Sequence, residues 1–127
     1  MRILLIATNR HQRLMSRMNA YPAPIGLAYI AGYLDPDRHD VKILDLMFSE
    51  DYLEETGRTV REFQPDLIGI SLRNLDNVSY MDPQWALPGT KEVIDMVRSI
   101  TEAPIVCGGP GFSLLPEACF DYLGLDL

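Results

Sequence analysis

Four short stretches of the chain are almost wholly apolar and of strand length: residues 2–7 (RILLIA), 41–46 (VKILDL), 66–72 (DLIGISL) and 104–107 (PIVC). Continuous Ile, Val and Leu runs bounded by turn-forming residues suit strands covered on both faces, as in parallel sheets. Between them the apolar positions recur at helical spacing. Over residues 23–34, Leu27, Ile30, Ala31 and Leu34 fall on one stripe, with Gly26, Ala28 and Gly32 small enough for close packing. Over residues 49–64, Leu53, Thr56, Val60 and Phe63 share a face, Ser49 is placed to cap the helix start, and Pro65 stops it. Residues 88–100 turn Val93, Met96, Val97 and Ile100 inward. A fourth helix is expected after Ser113, a second candidate cap, with Pro116 tolerated in its first turn.

Strand and helix therefore alternate four times, which predicts right-handed parallel crossovers and a doubly wound, three-layer α/β sheet of strand order 2-1-3-4. A fifth strand is expected next. The chain ends at Asp126 and Leu127, where Leu123, Gly124 and Leu125 read as a connection entering that strand, so the sequence is expected to be the N-terminal piece of a longer protein. Loop lengths are uneven. Residues 8–22 and 73–87, after the first and third strands, each span about fifteen positions, where connections of about four to six are usual. In an open parallel sheet, ligands bind outside the carboxyl ends of the strands at the switch point, here between strands one and three. Both long loops leave the sheet there.

Composition narrows the partners. A chain of 127 residues, 47% apolar and 23% charged, is the size of one domain with a single core. Eighteen carboxylates against eleven Lys and Arg give a net charge of −7, which argues against a nucleic-acid binder, since that needs a clustered basic face. The first acidic residue is Asp35, however, so Arg2, Arg10, His11, Arg13 and Arg17 form a local basic run ahead of it. Two cysteines and no leader pattern after Met1 fit a reducing cytoplasm, and no apolar run approaches the roughly twenty residues that cross a bilayer. No membrane partner is expected, and a homo-oligomer stays open.

Familiar cofactor loops are missing. Neither GxGxxG nor GxxxxGK[ST] follows the first strand, where Thr8, Asn9, Arg10 and His11 stand, and a flavin phosphate turn would need Ser, Thr and Gly there. A phosphoacceptor domain would need acidic strand ends, but these read Ala7-Thr8 and Ser71-Leu72. The turn over residues 108–113 carries Gly108, Gly109 and Gly111, which either allow a flat ligand close to the backbone or merely serve a turn with positive φ. Arg10, Arg13 and Arg17 either meet a phosphate- or amide-bearing ligand or are solvated loop residues. His11 has no carboxylate or Cys companion at metal-ligand spacing. Cys107 and Cys119 form no metal motif and suit small apolar core positions. Arg73, Asn74, Asp76 and Asn77, with Trp85 downstream, fit a planar ligand with amide arms or an ordinary capped loop.

The stretches APIGLAYIA (residues 23–31), VKILD (41–45), PDLIGIS (65–71), IVCGGPGF (105–112) and Pro116-Glu117, in this order and spacing, resemble the cobalamin-binding N-terminal domain of cobalamin-dependent radical S-adenosylmethionine enzymes. The resemblance spans essentially the whole chain. It implies a flavodoxin-like (Rossmann-like) fold holding cobalamin (B12) over the carboxyl edge. It also implies cofactor contacts from Thr8 and Asn9, from Pro24, Ile25 and Gly26, from Ser71, Leu72, Arg73 and Asn74, and from Gly108, Gly109, Pro110, Gly111 and Phe112. The expected partner is the protein's own C-terminal radical S-adenosylmethionine barrel, whose CxxxCxxC motif would carry a 4Fe-4S cluster. Two cysteines cannot build that cluster here, so any methyl transfer, radical cyclisation or rearrangement would belong to the parent enzyme and no catalytic residue is assigned in this chain.

Cobalamin mutases and methionine synthases carry DxHxxG in the first loop. Residues 9–14 read NRHQRL and lack both the Asp and the Gly, so His11 is not assigned as a cobalt or other metal ligand. The alternative expectation is a domain of the same ancestry without cobalamin, serving structurally or binding substrate. A free-standing flavodoxin-like enzyme is disfavoured, because nucleophile, base and phosphate loop are all missing.

Overall fold

The computed structural model describes residues 1–8, 22–77 and 80–126. Its strands are β1 (Arg2–Ala7), β2 (Asp40–Asp45), β3 (Leu67–Ser71) and β4 (Ile105–Gly108). All pairings are parallel, in the expected order β2-β1-β3-β4. The register sets Ala7 beside both Asp45 and Ser71, and Ser71 beside Gly108, so the four carboxyl ends form one row.

The helices are α1 (Ile25–Tyr33), α2 (Tyr52–Phe63), α3 (Leu87–Arg98), and two short pieces, α4 (Pro110–Leu114) and α5 (Pro116–Leu123). The two-residue period of the strands divides the apolar side chains between two cores. Leu4, Ile6, Ile68 and Ile70 pack with Val60 of α2, Val93, Ile94 and Val97 of α3, and Leu123 of α5. On the opposite face, Ile3, Leu5 and Ala7 meet Leu27, with Ala31 and Leu34 closing around them. The three layers are thus unequal. Among the described residues, α1 alone covers the second face, and Val106 of β4 remains 58% exposed.

Three expectations are corrected. Asp51, not Ser49, caps α2: its Oδ1 accepts from the Glu54 backbone N–H at 2.9 Å, while Ser49 is buried at the end of a 3₁₀ turn (Leu46–Phe48). Ser113 does not cap the expected helix, because it lies within α4, which begins at Pro110: proline's fixed φ suits a first helical position and Gly109 before it adopts φ 104°. A second helix then starts at Pro116, preceded by Leu115. On α1, Ile30 leaves the expected inward stripe and stands 51% exposed, since no neighbouring helix lies beside it on this face among the described residues.

Asp51→Ala is expected to leave the Glu54 N–H at the start of α2 without its side-chain acceptor and to cost about 1 kcal/mol, read as a lower urea midpoint with unchanged slope. Ser49→Ala would test the discarded assignment, because its hydroxyl makes no cap bond to α2.

The amino edge is closed by short connections. The Met1 ammonium donates to the Arg38 carbonyl at 2.9 Å, and the Arg2 backbone N–H donates to Asp66 Oδ2 at 2.7 Å. That backbone bond, with the Arg2 guanidinium nearby, holds the Asp66 carboxyl below the usual carboxylate range. His39 lies at this edge too, away from the row of carboxyl ends.

Candidate functional site

The open face carries an apolar trough of about 570 Å³ that runs to the carboxyl edge. Strand alternation builds its floor: Ile3 and Leu5 of β1, Leu67 and Gly69 of β3, and Val106 of β4 all line it. A Cβ on Gly69 would come within 2.7 Å of Leu5 Cδ2, so this glycine lets Leu5 lie flat across the middle of the sheet. Leu27 and Ile30 of α1, with Leu34 just beyond it, form the wall, and Pro24, Ile25 and Gly26 its upper end. At the carboxyl edge the rim becomes polar, with Ser71 and Arg73 on one side and Gly108, Gly109 and Pro110 on the other.

Of the residues expected from sequence, the trough gathers Pro24, Ile25, Gly26, Ser71, Arg73, Gly108, Gly109 and Pro110. Thr8, Leu72, Asn74, Gly111 and Phe112 do not line it. Leu72 is buried, its N–H donating to Gly108 O at 2.8 Å and its carbonyl accepting from Gly111 N at 3.0 Å. Phe112 packs against the larger core on the other face. Thr8 is buried and bonded within the protein. Asn9, His11, Arg10, Arg13 and Arg17 lie outside the described residues.

The glycines of the 108–111 turn separate into two kinds. A Cβ built on Gly108 meets nothing within 4 Å, and the same holds for Gly26. At Gly109, with φ 104°, it would lie 2.6 Å from the Leu72 carbonyl oxygen; at Gly111 it would lie 2.9 Å from the Asn74 backbone. Gly109 and Gly111 are therefore required by the chain's own close approach, while Gly108 and Gly26 open onto free space. The positive-φ reading of this turn holds at Gly109, while Gly108 leaves the backbone beside it uncovered.

The segment after β3 folds back on itself. Asn77 Nδ2 donates to the Asp82 carbonyl at 3.0 Å, its Oδ1 accepts from Gln84 N at 3.0 Å, and Asp76 bridges to Trp85. Asn77 thus uses both ends of its amide within the loop, leaving Arg73 and Asn74 exposed near the edge. Cys107 is pushed up to about 11 by burial first, then by the nearby Cys119, against a backbone hydrogen bond from Gly108. Its thiol stays protonated at neutral pH and suits packing better than metal binding. Among the described residues, no group of three or more His, Cys, Asp or Glu could hold a metal ion. None of their helices is long and apolar enough to cross a membrane.

Sequence reasoning missed the trough floor and Thr90, a buried α3 residue whose hydroxyl lies 2.9 Å from that of Thr8. The floor has a signal in sequence, the alternate strand positions 3, 5, 67, 69 and 106; Thr90 has none, since a threonine in the first helical turn is unremarked.

A sequence profile describing the B12 binding domain matches residues 14–127. The chain belongs to the B12-binding domain family. This B12-binding domain is 36% identical over 108 residues to tryptophan 2-C-methyltransferase of Streptomyces laurentii, covering 82% of this chain and 18% of that protein. It is 30% identical over 124 residues to cytidylyl-2-hydroxyethylphosphonate methyltransferase of Streptomyces wedmorensis, covering 81% of this chain and 21% of that protein. Among solved structures it resembles the radical S-adenosylmethionine methyltransferase TsrM from Kitasatospora setae with cobalamin and a [4Fe-4S] cluster bound, with a TM-score of 0.84 and 29% identity. That match covers 98% of this chain and 21% of the other. The B12-binding domain thus spans about a fifth of the length of these relatives.

Proposed function

We propose that this domain binds cobalamin across the carboxyl edge of the sheet, with part of the ligand in the apolar trough. The observation that carries the reading is the meeting of an open glycine pair, Gly108 and Gly26, with that trough and a polar rim, in a chain of the B12-binding family. A corrinoid is a large flat ring bearing amide arms. Its apolar surface suits Leu5, Val106 and Ile30, and its amides suit Ser71, Arg73 and the backbone of the 108–110 turn. Pro24, Ile25 and Gly26 would border it from α1. Thr8, Leu72, Asn74, Gly111 and Phe112 would support this edge from beneath. Bound cobalamin would supply a cobalt centre able to carry a methyl group. The residues of this chain would position it and exclude water from its apolar side.

In the same reading the domain is the N-terminal module of a longer protein, residing in a reducing cytoplasm, in which a fifth strand follows β4. A radical S-adenosylmethionine barrel with its 4Fe-4S cluster then supplies the chemistry. The support is the length of the relatives, about five times that of this chain, and their methyltransferase activities. Titration of hydroxocobalamin into the purified chain, followed by visible absorbance and calorimetry, is expected to give saturable one-to-one binding. A colourless protein with no heat of binding, alone and within its full-length parent, would leave only a structural or substrate-binding role.

A further inference from the structure

Three elements that frame the carboxyl edge meet at one buried point. Thr8 Oγ1, just past β1, donates to the backbone carbonyl of Ser71, the last residue of β3, at 3.2 Å, and lies 2.9 Å from Thr90 Oγ1 in the first turn of α3. Thr90 is wholly buried and Thr8 nearly so. A hydroxyl has one proton, and that of Thr8 is directed at Ser71. With the Thr8 proton on the Ser71 carbonyl, which can only accept, both hydroxyls are satisfied when Thr90 donates to Thr8.

These three residues are the anchors of both long connections. Thr8 is where the chain leaves β1, Ser71 is where it leaves β3, and Thr90 is where the second connection has landed on α3. We propose that Thr90 is a positioning residue for the ligand site: acting through Thr8, its hydroxyl holds in place Ser71, the rim residue at the carboxyl end of β3. The inference rests on the cobalamin reading above. Its physical basis is that Thr8 is held from two sides in a buried setting, where an unmade hydrogen bond is costly and an existing one restricts rotation. Without Thr90 the Thr8 side chain loses its donor and can turn, and the edge must be ordered anew on each binding event.

The test measures hydroxocobalamin affinity of the full 127-residue chain, well below the unfolding temperature, for the wild type, Thr90→Val, Thr90→Ser, Thr8→Val and the double variant. Valine preserves the shape of threonine and removes the hydroxyl. The expected result is an increase in Kd of roughly fivefold to tenfold for Thr90→Val, near-wild-type affinity for Thr90→Ser, and a double variant no weaker than Thr8→Val alone, because the two act through one linkage. If Thr90→Val does not fold, Thr8→Val against Thr8→Ser reads the same linkage from its other end. A wild type that binds, with a Thr90→Val variant of unchanged Kd and a lower Tm, would overturn the inference and leave the cofactor reading standing. No binding by the wild type would overturn both.

Discussion

Gly109→Ala is expected to destabilise the domain by roughly 3–5 kcal/mol and to lower Tm by about 10 °C or more, from backbone strain and overpacking together. Gly109 adopts φ 104° and ψ 166°, a region that residues with a Cβ avoid, and the added carbon would lie 2.6 Å from the Leu72 carbonyl oxygen. The obstacle is backbone at the end of β3, which cannot rotate away as a side chain tip could. Gly108→Ala is the control. It changes the adjacent residue by the same single carbon, meets nothing within 4 Å, and is expected to shift stability by less than about 1 kcal/mol. Thermal unfolding of the two variants side by side decides the matter. Equal losses would mean that the turn is not seated on Leu72 as described.

The second large effect concerns binding. Gly108→Phe is expected to raise the Kd for hydroxocobalamin at least about 100-fold while leaving the unfolding free energy within about 1 kcal/mol of wild type. The position pairs with Ser71, points to the same face as Val106, and opens onto the trough, so a phenyl ring there would occupy the place assigned to the corrinoid. Equilibrium titration beside urea unfolding separates the two quantities. Unchanged affinity in a folded Gly108→Phe variant would show that the ligand does not use this end of the trough.

The parts of the fold that follow from burial alone were legible in the sequence. The runs RILLIA and LIGIS are rich in Ile and Leu, so β1 and β3 were bounded to within a residue or two, and the alternation with helices implied parallel pairing. Choices between chemically equivalent residues were less so. Ser49 and Asp51 both suit a helix cap, and only the path of the 3₁₀ turn over residues 46–48 decides for Asp51. At the site, the string Gly108-Gly109-Pro110-Gly111 marks an unusual turn, yet which glycines face a ligand and which face Leu72 and Asn74 depends on the neighbouring strand end, about 35 residues earlier in the chain. The Thr8–Thr90 contact joins residues 82 positions apart and leaves no local pattern.

The seating of Gly109 and Gly111 against residues 72–74 also governs where this sequence is free to drift. Two turns that share backbone contacts cannot lengthen independently, so natural insertions and deletions should avoid residues 72–74 and 108–111 alike. They should gather instead beyond Asn74, where the chain has already left its neighbour. Diversity among such domains is then channelled into one outward arc of the edge, while the part nearest the sheet keeps its length, so new binding preferences can arise without refitting the foundation.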